Sequence, residues 1–185
     1  MSIIFDLHAS ISAPTLLRAR IGEAAKSLLT SSYSHMGRGT SLDHIGFVMA
    51  VYKIATGGDL FEPEDYSPSW TKSENPYLTD WLLQFCDEID LADASTGDII
   101  TYAIDENPTF TSAPKLADGE HPATCRVISE PDRVAGPYWA RATCESFRSS
   151  WSRWEAKAYR VRVPADFTSR LSSDQWLMAG EGETL

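Results

Sequence analysis

The feature that most constrains this chain is a change of hydrophobic period part-way along it. In three segments between Pro14 and Ile89 apolar residues recur at helical spacing, and from Ile99 to Val163 they form short β-branched or alternating runs. Helices followed by consecutive strands bury their apolar stripes on one face of an antiparallel sheet, so an α+β domain is expected. Its 185 residues, 43% of them hydrophobic, are enough for one real core. Residues 1–164 are read as the domain and residues 165–185, ending in Ala-Gly-Glu-Gly-Glu-Thr-Leu, as a C-terminal arm.

Pro14 follows Ser12 as at a helix start, and Leu17, Ile21, Ala24, Ala25 and Leu28 mark one buried face up to Thr30. Residues 31–40 are small, polar and glycine-containing, which predicts a loop. Thr40 or Ser41 is placed to cap a second helix, with Asp43 in its first turn and Ile45, Val48, Met49, Tyr52 and Ala55 as its stripe, ending at Gly57-Gly58. Residues 59–76 read as a packed loop and Leu78 to Ile89 as a third helix carrying Cys86. Strands are expected at 99–104, 123–129, 138–145 and 156–163, the last with one wet face. Residues 108–120 read as an extended loop, and 131–137 as a turn region.

Acidic residues outnumber basic ones 26 to 16, a net charge of -10, so no global field favours nucleic acid. The first ten residues lack a basic segment followed by an apolar run, and no stretch reaches the length of a membrane span; neither a signal nor a membrane anchor is expected. Three cysteines fit neither a disulfide framework nor a thiolate cluster, which points to a reducing cytoplasm as the place of synthesis. Cys125 and Cys144 fall in candidate strands, where they could face each other, although buried free thiols are the commoner outcome.

The run Gly39-Thr-Ser-Leu-Asp43-His44-Ile-Gly46-Phe47-Val48, followed by Thr96-Gly97-Asp98-Ile-Ile and by His121 ahead of the next strand, resembles the NlpC-type papain-like cell-wall peptidases. That family carries Asp-Cys-small-Gly-Phe or Leu at the start of its core helix, and here His44 stands where the cysteine would be. The resemblance implies a papain-like fold over roughly residues 10 to 163, with His121 at the place of the family histidine and Asp43 beside the substituted nucleophile. Tyr138, Trp139 and Arg141 stand where the third polar residue is kept.

Such chemistry needs a thiolate whose pKa is lowered at a helix N-terminus and an imidazole across the cleft. Without the nucleophile no ordinary cysteine-peptidase activity is expected. Thr40 and Ser41 are explained by capping, and Cys86, Cys125 and Cys144 by packing. His35, His44, His121 and Asp43 could converge as nitrogen and oxygen ligands only if the family fold brings them together, and no metal or other cofactor is expected. The branch most similar is that of phage and gene-transfer-agent tails. It implies a structural protein of a virion tail tip, made in the bacterial host cytoplasm, with other tail-tip or hub proteins as partners and peptidoglycan as a further one. The alternative is an active cell-wall hydrolase using a substituted nucleophile or a metal.

Overall fold

The computed structural model describes residues 11–63, 77–102, 124–137, 143–147 and 156–171. Three helices come first: α1 (Ala13–Ser27), α2 (His44–Thr56) and α3 (Tyr77–Leu83). Six strands follow, β1 (Cys86–Ile89), β2 (Ile99–Tyr102), β3 (Thr124–Glu130), β4 (Arg133–Pro137), β5 (Thr143–Phe147) and β6 (Ala156–Val161), and then a short α4 (Phe167–Arg170). The strands form one antiparallel sheet in the order β1-β6-β2-β3-β4-β5. The expected α+β class, helices on an antiparallel sheet, is the one observed. Strands β2 to β5 run as a meander, and β6 returns between β2 and β1.

The helices pack on one face of the sheet. Leu16, Leu17, Ile21 and Ala25 of α1, and Ile45, Phe47, Val48 and Val51 of α2, share a core with Ile99, Cys125, Val127, Ala135 and Tyr159 of the strands. Phe167 and Leu171, from the segment after Pro164, are buried in that same cluster. The opposite sheet face carries a second buried cluster of Ile100, Tyr102, Ile128, Val134 and Ala158. β2 is therefore buried on both faces, which explains why it reads as a continuous Ile-Ile-Thr-Tyr run and not as an alternation.

Several expectations change. The third helix stops at Leu83, and Cys86–Ile89, expected to continue it, pairs with β6 as an edge strand. Backbone pairing with a strand distant in sequence overrides the local spacing. The turn before β4 is confined to Pro131 and Asp132, and Arg133–Pro137 is a strand registered against both β3 and β5. The wet face expected on the last strand is found only in part: Arg162 is exposed and Arg160 half-exposed, but Ala158 lies in the second cluster and Arg160 is bonded to a buried carboxylate. Cys125 and Cys144 do not face each other, because β4 lies between their strands. The segments 64–76, 103–123 and 138–142, with most of two expected loops, His121, Tyr138, Trp139 and Arg141, lie outside the described residues.

Candidate functional site

Position 44 is the first residue of α2, and the turn before it is built around Asp43. Asp43, not Thr40 or Ser41, is the N-cap: Oδ1 accepts the Gly46 N–H at 2.7 Å. Oδ2 accepts the Met36 N–H at 2.9 Å, and the Arg38 guanidinium donates to Oδ1 at 3.0 Å. Asp43 is only 3% exposed, so these donors replace the water that the carboxylate loses. One cap thus also fixes the preceding loop, including Met36, whose φ of 54° lies in the left-handed region. Gly46 is required because a Cβ there would overlap the Gly37 carbonyl, against which the first turn of α2 is packed.

His44 is half-buried at the junction of this helix start with β3. Its imidazole lies edge-on to Tyr33, with ring centroids 6.2 Å apart. Burial, then the positive charge of Arg126, push its pKa down to about 4, against the opposing pull of Asp43 and of a hydrogen bond to the Cys125 backbone. The ring is therefore neutral near pH 7. The positive end of the helix dipole acts in the same direction, since it disfavours a cation there.

Cys125 is the β3 residue that packs against this helix start. It is fully buried, and its thiol donates to the His44 carbonyl oxygen at 3.3 Å. Burial, with a smaller contribution from Asp43, raises its pKa far above the ordinary thiol range. Tertiary structure thus brings a cysteine beside His44 that is distant in sequence, but the thiol is protonated and sealed, the opposite of an activated nucleophile. Cys86 is likewise buried and its pKa raised, chiefly by desolvation.

Arg126, next in β3, is 0% exposed and donates from Nη2 to the Pro137 carbonyl at 2.9 Å and from Nη1 to Ser146 Oγ at 3.4 Å. Sequence reasoning passed over it. The available signal was a cation set between Cys125 and Val127 within a candidate strand. A shallow cleft of about 190 Å³ lies beside the site along α2, between Arg38, Gly46, Met49, Lys53, Leu60 and Glu62. Its charges compensate one another, Lys53 with Asp59 at 2.7 Å and Arg38 with Glu62 at 3.3 Å.

The Gly97-Asp98 entry to β2 is structural. Gly97 has φ 88°, and a Cβ there would meet the Arg18 backbone. Asp98, 0% exposed, accepts from Arg160 at 2.7 and 3.0 Å and from the Ser95 N–H at 2.9 Å. Of the sequence-derived site residues, Asp43 and His44 are therefore adjacent and fixed, His35 lies in the preceding loop, and His121 lies outside the described residues. Among the described residues no three His, Cys, Asp or Glu side chains are grouped so as to hold a metal ion.

No family model matches this chain, and no curated protein matches it. Solved structures do. The crystal structure of the NlpC/p60 domain of the peptidoglycan hydrolase SagA is similar at 14% identity, with a TM-score of 0.47, covering 76% of this chain and 96% of that one. A protein described as similar to lipoprotein, NLP/P60 family, from Staphylococcus aureus subsp. aureus Mu50 is similar at 17% identity, with a TM-score of 0.48, covering 79% of this chain and 42% of that one.

Proposed function

We propose that this chain is a peptidase-like scaffold without cysteine-peptidase activity, serving as a structural component of the tail tip of a phage or phage-like particle. The observation that supports inactivity is the start of α2, where a neutral imidazole occupies the position suited to a thiolate. Asp43 there is engaged as a cap and counterion, and the thiol that comes near, Cys125, is buried and protonated. A thiol nucleophile has to be ionised and reachable, and Cys125 is neither.

The tail-tip assignment is supported by the resemblance of the Asp43-His44-Ile-Gly46-Phe47 run to the NlpC-type peptidases, of which the tail-borne branch is the variant most similar in context, and by an acidic composition unsuited to nucleic acid. In this reading the partners are tail-tip or hub proteins, with peptidoglycan as a ligand that is not cleaved. The protein is made in the host cytoplasm and resides at the virion tail tip.

Two measurements test the proposal. Purified protein incubated with peptidoglycan, with and without zinc, should release no peptide fragments, as should the His121→Ala variant. Cleavage by the wild type that a chelator or His44→Ala stops would instead establish a hydrolase with a substituted mechanism. Purified particles from the producing host should contain the chain, and its absence from them would overturn the structural role.

A further inference from the structure

We propose that α4 locks the hinge at the root of one wall of the cleft along α2, by seating the Arg170 guanidinium on Gly58. This device is independent of the functional reading above. The wall is the segment from Gly57 to Glu62, of which Asp59, Leu60 and Glu62 line the cleft together with Met49 and Lys53 of α2. It leaves α2 through two consecutive glycines. Gly57 ends the helix with a φ of 71°, and a glycine pair offers little resistance to rotation, so the direction in which the wall departs has to be set by contacts.

The charged side chains of the wall are poorly suited to that task. Asp59 pairs with Lys53 at 2.7 Å, but the two side chains are 72% and 64% exposed, and Glu62, paired with Arg38 at 3.3 Å, is 67% exposed. Ion pairs so open to water hold little. At the far end the Phe61 carbonyl accepts from Trp81 Nε1 at 3.1 Å. At the hinge itself Gly58 is buried, and its N–H donates to Thr56 Oγ1 at 3.1 Å. The three atoms nearest to the place where a Gly58 side chain would begin all belong to the Arg170 guanidinium. That guanidinium is itself held, since Nε donates to Asp166 Oδ2 at 2.7 Å. Phe167 and Leu171 anchor the same segment in the core cluster, against which Leu60 also packs. Burial raises the Tyr52 pKa most, and the charges of Arg170 and Asp166 act on it in opposite senses, which sets this ion pair beside α2 as well. A close-packed core does not yield to small forces, so Arg170 passes the fixed position of its anchors on to the hinge. The chain after Pro164 thereby positions a wall of the cleft.

Hydrogen exchange on the full-length chain tests this, with Arg170→Ala, Gly58→Ala and the double variant. Gly58 does not have a positive φ, so alanine fits the backbone there and its methyl group takes the seat of the guanidinium, a second route to the same loss. Both substitutions leave Phe167 and Leu171 in place. Each single variant is expected to raise exchange at the amides of residues 58–62 by about tenfold, with the amides of α1 unchanged. The double variant is expected to exchange no faster than either single one, because both remove one shared contact. Unchanged exchange at residues 58–62 would overturn the proposal, as would a rise spread evenly over α1 and the sheet, which would make Arg170 a contributor to overall stability alone. Additive effects in the double variant would overturn it too, since the two residues would then act separately.

Discussion

At the scale of single residues, the start of α2 concentrates two interactions, the cap made by Asp43 and the burial of the His44 ring. Asp43 caps the helix, holds the Met36 N–H and pairs with Arg38, all from a buried carboxylate. Asp43→Ala is expected to cost about 2–4 kcal/mol, since it removes a cap and leaves a partly buried cation without this counterion; urea unfolding at neutral pH measures it. For His44 the folded pKa, about 4, lies below the ordinary 6.5. Between those values the unfolded chain binds a proton that the folded chain does not, so this group makes stability fall as pH drops from 6.5 towards 4, with no further loss below. The loss attributable to His44 from neutrality to about pH 5 is roughly 2 kcal/mol. The same unfolding series on His44→Gln should lack that increment, and equal slopes in the two proteins would refute the assignment. Asp43 and His44 were both legible in the sequence because capping chemistry is local. That Asp43, not Thr40 or Ser41, is the cap depended on where the loop of residues 31–42 folds back, which no local pattern encodes.

At the scale of elements, β2 and β6 are joined by an ion pair between a buried carboxylate and a half-buried guanidinium. Asp98 is fully buried and Arg160 reaches it across the sheet with two hydrogen bonds. Arg160→Met strands that carboxylate and is expected to destabilise by about 3 kcal/mol or more, while adding Asp98→Asn should recover part of the loss. A double-mutant cycle by chemical denaturation gives the coupling directly. A Gly-Asp before a strand was visible in the sequence, but its partner was not, because Arg160 read as a residue of a wet face. Helices α1 and α2 were legible from their apolar stripes and from Gly57, which ends α2 with a φ of 71°. The short edge strand β1 was not, since four residues following a helical pattern acquire strand geometry only from β6.

For the whole molecule, burial of two of the three cysteines predicts a reactivity pattern. Cys86 and Cys125 should resist a thiol reagent in the native protein and become available on unfolding, because burial holds both thiols protonated. Rapid native labelling of Cys125, mapped by peptide mass, would contradict a sealed site and revive the case for a nucleophile. The sequence by itself determined the α+β class, the two long helices, the acidic character and the occupation of position 44 by a histidine. These follow from period, composition and residue identity, which are properties of the chain. Only the tertiary structure decided that Cys125 lies against the His44 carbonyl, that Arg126 is buried nearby, that Asp98 is a counterion and that β6 inserts beside β2. Each of those pairings joins residues far apart along the chain, and such contacts are selected by the joint burial of distant surfaces and not by any local preference.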